Sequence, residues 1–258
     1  MSQLIASLLN DESSSPDSWK SLHAGLRVLG NYLEVSKAIA DKVQMAQHRS
    51  DVVKMLARFV RHPHPRVRAA CFYALGEFFL MHGSTLTADK VDEFLPVIVE
   101  GINLSINPQS RVRRQVLLSL INLIDRVSAS AIERRGGVIL QSVAQALQDG
   151  PTFVQEVCLQ VLISLAETVK GPAIAEYYDA IIPCLKRMLA VAHSSHDDIL
   201  WARGVECCAI VGESAGRVKF YSDAIEMMKF LSELQTDTFG GNEAEIKKYL
   251  LKAWIRIA

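Results

Sequence analysis

Leu29-Gly30, Leu75-Gly76, Leu120-Ile121, Leu165-Ala166 and Val211-Gly212 follow one another at steps of 46, 45, 45 and 46 residues, and one further step of 46 reaches Ile257-Ala258. A second series, Cys71, Val116, Val161 and Cys207, keeps the same register with small or β-branched side chains. A period of this length belongs to a whole supersecondary unit repeated along the chain, not to a heptad or a strand alternation. Breakers at Ser15-Pro16, His62-Pro63-His64-Pro65, Asn107-Pro108, Gly150-Pro151 and Ser195-His196-Asp197-Asp198 each precede an amphipathic run. Proline suits a first helical turn, where its missing N–H has no intrahelical partner. Partner helices are expected between these runs, near residues 36–61, 88–105, 131–148, 173–193 and 217–235. Pro96 and Pro183 fall inside two of them, where a bend is expected.

Two helices per period of about 45 residues is the pattern of HEAT-type hairpins. The expected fold is therefore all-α, a solenoid of about six antiparallel hairpins at 1–34, 35–83, 84–128, 129–170, 171–215 and 216–258. No single hairpin covers its own apolar faces, so stacking must supply the core. Small residues in the register allow the close approach that stacking requires. The first partner helix reads as a short Ser2–Leu9 and the last ends on an unfinished apolar face at Trp254–Ala258, so the array is expected to be cut at both ends.

Half of the residues are apolar, and 28 acidic side chains balance 28 basic ones. That composition builds a packed core and lacks the clustered positive charge on which nucleic-acid backbone binding depends. No apolar run approaches the roughly 18–20 residues of a membrane span. The start MSQLIASLLNDESSS has no basic secretory n-region. Cys71, Cys158, Cys184, Cys207 and Cys208 form no CxxC pair and lie in apolar stretches, as buried free thiols do. There is no phosphate-binding glycine loop, nucleophile elbow or HExxH, so the expectation is no enzyme, no cofactor and no metal.

Two residues after each landmark stands a polar side chain: Asn31, Glu77, Asn122, Glu167 and Glu213. Gln115, Gln160 and Glu206 fall one or two turns earlier on the same side. A row of carboxylates and amides suits an extended basic peptide, since amides pair its backbone and carboxylates attract its lysines. An ordinary solvated helix face has the same pattern, and spacing alone leaves both readings open. Arg68 and Arg113 share register and are read as a structural ladder between repeats, with an anion site as the alternative. Trp201 begins a landmark helix, as a cation–π clamp for a peptide lysine or as a plug between repeats.

The segment HPHPRVRAACFYALGEF resembles the importin-β (karyopherin-β) nuclear transport receptors, with the beta-3 branch the nearest. SWKSLHAGL, ALQDGPTFVQEVCLQVLISLAET, EYYDAIIPCLKRML and VECCAIVGESAGRVKFYSDA followed by QTD extend the resemblance in the same order over about residues 16–240. The resemblance implies a receptor that shuttles between cytoplasm and nucleus, carries proteins with basic localisation signals and meets nucleoporins. It also implies release by Ran-GTP, mainly through repeats outside this segment. Asn122 matches the family's inner-helix LINF motif and Glu206 the acid of its IEC segment, which implies cargo contacts at both. The acid expected four residues after the LINF asparagine is replaced by Arg126, with Asp125 beside it. The implied cargo-contact set is Glu77, Asn122, Asp125, Glu167, Trp201, Glu206 and Glu213. Two other classes fit a hairpin array: a general scaffold subunit of a multiprotein complex, and a HEAT-like DNA glycosylase. The second needs a basic groove, which the balanced charge and the acidic row oppose.

Overall fold

The computed structural model describes residues 17–36, 52, 54–104, 110–169, 171–233 and 243–258. The expected helix Ser2–Leu9, the breakers Ser15-Pro16 and Asn107-Pro108, and residues 37–51 of the first partner helix lie outside them. Among the described residues every regular element is helical and no strand occurs. None of the described helices is long and apolar enough to cross a membrane.

The chain divides into two compact units, Met1–Ser128 and Ala129–Ala258. In the first, α1 (Ser18–Ser36), α2 (Pro65–His82) and α4 (Ser110–Ile124) lie side by side, and α3 (Ala88–Leu104) packs on α4. These side-by-side helices are the landmark helices of the repeat. In the second unit, α5 (Ala129–Glu133) is a short turn of helix, and α6 (Gly136–Asp149) packs on α7 (Thr152–Thr168). Next, α8 (Pro172–Ser194) packs on α9 (Asp198–Ala215), followed by α10 (Arg217–Glu233) and α11 (Glu243–Ile257). Here α7, α9 and α11 are the adjoining landmark helices.

Local chemistry sets the helix boundaries. The α2 start is capped by His64, whose ring accepts from the Arg66 N–H ahead of Pro65. Asp197 caps α9 by accepting from the Leu200 N–H at 3.2 Å. Gly216 ends α9 at φ 96°, a left-handed conformation that costs glycine little. One boundary differs from the sequence expectation. The 131–148 helix is broken into α5 and α6 by a turn at Arg134-Arg135. Gly136 and Gly137 follow the break, and β-carbons there would lie 3.0 and 3.4 Å from the Tyr177 ring. Weak helix propensity and a ring pressed on the backbone together explain the interruption. Pro96 and Pro183 stay inside α3 and α8.

Within each unit the repeat register is the core. Leu29, Leu75, Leu120, Leu165 and Val211 are all buried, as are Cys71, Val116, Val161 and Cys207. The Cys71 thiol donates to the Leu56 carbonyl at 3.2 Å, and burial raises its pKa far above the ordinary thiol value. Close approach replaces bulk at the glycines. A β-carbon on Gly101 would meet the Phe72 ring, and one on Gly212 would collide with the Phe220 ring. Phe72 and Phe220 are themselves buried, so neither ring has free space to enter. Gly212→Ala is therefore expected to destabilise the protein by about 1–3 kcal/mol through overpacking, read as a lower urea midpoint with an unchanged slope.

The His62–Pro65 turn has its own pH dependence. His62 Nδ1 accepts from the His64 N–H at 3.0 Å, His64 Nδ1 accepts from the Arg66 N–H at 3.3 Å, and the His64 ring stacks on Trp19 at 3.8 Å. Both acceptor roles need neutral imidazoles. Burial, then neighbouring positive charge from Arg66, His23 and Arg68, lowers the His64 pKa below the ordinary 6.5. Burial and then Arg27 and Arg66 do the same for His23, and burial with Arg68 and His64 for His62. A depressed folded pKa means that the native state binds fewer protons than the unfolded chain. This contribution is complete above 6.5 and is lost as pH falls through the lowered values. The urea midpoint should fall between about pH 7.5 and pH 5.5, before carboxylates titrate. The pH slope should flatten in a His62→Gln, His64→Gln variant.

Candidate functional site

In the first unit the polar positions of the landmark helices bond across adjoining helices. Tyr73 Oη on α2 donates toward Asn31 Oδ1 at 3.0 Å and Glu34 Oε2 at 3.2 Å on α1. The Arg27 guanidinium lies 4.0 Å from the Tyr73 ring centre. Asn122 Nδ2 on α4 donates to the Gly76 carbonyl on α2 at 3.2 Å, and its neighbour Ser119 donates to the Phe72 carbonyl. Asn122 thus has a structural bond to the previous repeat while its side chain remains partly exposed. Glu77 is half-buried on α2, and Asp125 is exposed just beyond the end of α4.

Arg68 and Arg113 connect consecutive segments through backbone carbonyls. Arg68 Nη1 donates to the His62 and Pro63 carbonyls at 2.5 and 2.9 Å, closing the turn before α2. Arg113 is 2 % exposed and donates from Nε to the Ile102 carbonyl of α3 at 3.1 Å. These bonds satisfy carbonyls near helix ends, where backbone groups otherwise lack intrahelical partners.

The second unit holds the acids Glu167, Glu206 and Glu213, and α11 brings two cations to them. Arg256 Nη1 lies 2.5 Å from Glu213 Oε2 on α9, and its Nη2 lies 3.3 Å from Glu167 Oε1 on α7. One guanidinium therefore spans two landmark helices, and the bond to Glu213, with both acids nearby, raises its pKa. Lys252 Nζ lies 2.8 Å from Glu206 Oε1. Next to these, Arg203 Nε donates to Tyr249 Oη at 2.9 Å, Tyr249 Oη donates to Glu245 at 3.0 Å, and Lys252 stands 5.6 Å from the Tyr249 ring centre.

Two side chains of this unit are less open than the rest of the row. Glu206 was placed on an exposed row, but it is 7 % exposed, with its carboxylate directed to Lys252. Trp201 is 6 % exposed and packs edge-on against Phe230 at 5.3 Å and tilted against His193 at 6.3 Å. It lines an apolar cavity of about 400 Å3 between α8, α9 and α10, with Val205, Leu189 and Met227. A ring held there packs at the junction of three helices, on the wall of that pocket.

Several functional groups escaped the sequence reading. Lys252 follows Glu206 by 46 residues, the same step that links Glu206 to Gln160, so the repeat register itself carried the signal. The ion pairs between partner helices left a similar trace, with separations near the repeat length. Arg61 bonds Glu100 through Nε and Nη2 at 2.7 and 2.8 Å in the first unit. In the second, Lys186 reaches Asp223 at 2.8 Å and Glu226 at 2.7 Å, which raises its pKa to about 12. Lys219 pairs with Asp179, and Tyr178 donates to Asp223 at 2.5 Å. Among the described residues, no group of three His, Cys, Asp or Glu side chains is placed to hold a metal ion.

Residues 52–81 match the HEAT repeat family. Importin subunit beta-3 of Saccharomyces cerevisiae is 27 % identical over 206 residues, which is 80 % of this chain and 18 % of that protein. The chain thus spans under a fifth of the length of this relative. The crystal structure of Kap121p bound to Pho4p superposes with a TM-score of 0.80 at 23 % identity, over 99 % of this chain and 23 % of that one. Kap121p bound to Nup53p gives a TM-score of 0.79 at 23 % identity, covering 99 % and 22 %. The HEAT match, the aligned importin sequence and the shared fold together make this chain similar to a stretch of the importin-β, or karyopherin, helical arrays.

Proposed function

We propose that this chain is a cargo-binding stretch of a nuclear import receptor, holding basic localisation segments of proteins on the landmark helices of its repeats. The observation that supports this most directly is that Glu167, Glu206 and Glu213 already bind cationic side chains, at 3.3, 2.8 and 2.5 Å. Carboxylates at these positions have the geometry to accept lysine and arginine donors, and such charge-assisted bonds are stronger than neutral ones. The first unit, taken by itself, carries Gln115 and Asn122 in the same register, amides of the kind that pair an extended backbone. Kap121p has been crystallised with Pho4p and with Nup53p, and importin subunit beta-3 aligns over most of this chain. By that likeness the partners are cargo proteins, nucleoporins and Ran-GTP, the last acting mainly through repeats outside these residues. The receptor would move between cytoplasm and nucleus. A general scaffold would need the same hairpins but no affinity for basic segments.

Adjoining helices lie about 8–10 Å apart and an extended chain advances about 3.3–3.6 Å per residue. Contacting lysines should therefore recur about every third position. A fluorescein-labelled peptide of that design should bind the 258-residue chain, weakly at high salt and more tightly as salt is lowered. Glu167→Gln with Glu213→Gln should reduce affinity about tenfold, the equivalent of about 1.4 kcal/mol. Both side chains are half-exposed, so the fold should persist. Unchanged anisotropy titrations for a folded double variant would reduce the row to a solvated face.

A further inference from the structure

The acids of the second unit are not open. Glu167, Glu206 and Glu213 carry three negative charges, and Lys252 with Arg256 returns two positive ones, leaving a net of one negative charge. An incoming lysine meets that compensated face and not three free carboxylates. Both cations come from one helix, α11, on its successive turns, and both reach back to helices that precede it in the repeat. Lys252 stands where the register repeats Glu206, so the charge at this position is inverted from one repeat to the next. The inversion places opposite charges on facing helices.

We propose that Arg256 is a built-in occupant of this acidic face, which a basic segment must displace in order to bind Glu167 and Glu213. The inference rests on the binding role proposed above and adds a competitor to it. Two observations support displacement. The pairs are accessible: Arg256 is 36 % exposed, against 51 % for Glu167 and 50 % for Glu213. Ion pairs of that exposure are weak and exchange partners readily. Arg256 also splits its guanidinium between two acids and uses one nitrogen on each, so a ligand cation can take one acid without removing Arg256 from the other.

Glu206 is different. Its side chain is only 10 % exposed beneath a half-exposed Lys252, so that pair anchors α11 while the Arg256 contacts exchange. The remaining charged neighbours, Arg203, Glu156 and Glu245 with Tyr249, form their own chain of bonds beside the anchor. A tethered cation competes at an effective concentration set by its helix, and it lowers apparent affinity in proportion to its occupancy.

The test titrates the 258-residue chain with the lysine peptide described above and with a peptide whose lysines are replaced by glutamine. Arg256→Gln should tighten the lysine peptide by about threefold to tenfold and leave the glutamine peptide unbound. The gain should vanish when Glu167→Gln and Glu213→Gln are added. An Arg256→Gln affinity equal to or weaker than the parent overturns the competitor, while the loss caused by the glutamate substitutions alone would keep the binding role. If neither set of changes alters affinity, both readings fall. A second measurement needs no variant: saturating lysine peptide should speed amide hydrogen exchange in residues 250–257 of the unmodified chain. Unchanged or slower exchange there overturns displacement even if Arg256→Gln fails to fold.

Discussion

Side-by-side stacking of the landmark helices is the contact on which everything else depends. Each hairpin exposes more apolar surface than its own partner helix covers, so α1, α2 and α4 in one unit and α7, α9 and α11 in the other bury one another. The stacking tolerates little bulk at the seam. Gly76 faces Asn122 and Ser119 across it, and the contacts with partner helices are as close, with Gly101 under Phe72 and Gly212 under Phe220. Where side chains do occupy the seam they are valines, or thiols and hydroxyls that return a bond to the neighbouring backbone, as Cys207 and Ser119 do. The short helix-to-helix distance that results also sets the spacing of every polar group carried on these helices.

That spacing turns a sequence period into an electrostatic pattern. Residues 37 to 47 apart become neighbours, so a charge can pair with the next repeat as well as within its own helix. Arg61 with Glu100, Lys186 with Asp223 and Lys252 with Glu206 are all of this kind. Exposed pairs contribute little stability singly. Their greater effect is to decide which carboxylates remain open to a ligand. Asp223, held by both Lys186 and Tyr178, is committed to the partner-helix side. Glu167 and Glu213 share a single arginine and retain oxygen atoms facing solvent.

The aromatic residues illustrate the same division between packing and display. Trp201 closes a three-helix junction and Trp19 stacks on the His64 cap, so both rings serve joints between hairpins. The histidine turn before α2 makes this joint sensitive to protonation, because two of its backbone N–H groups depend on neutral imidazole acceptors. Arg68 closes the same turn through carbonyls, so the HPHPRVR segment is a self-contained helix start.

The sequence by itself determined the repeat, the helical class and the residues that form the core, because a period of 45–46 residues with small seam positions admits few other packings. It also located the polar row two residues beyond each landmark, since positions in one register must share a helix face. It could not decide exposure or pairing. Glu206 and Glu213 look alike in sequence, yet one is buried under Lys252 and the other half-exposed beside Arg256. Trp201 was compatible with a clamp or a plug until α10 brought Phe230 against it. The α5–α6 break depended on Tyr177, some 40 residues away, pressing on Gly136. In each case the deciding atom comes from a different repeat, and only the stacked structure fixes how far a side chain reaches across the seam and what it finds there.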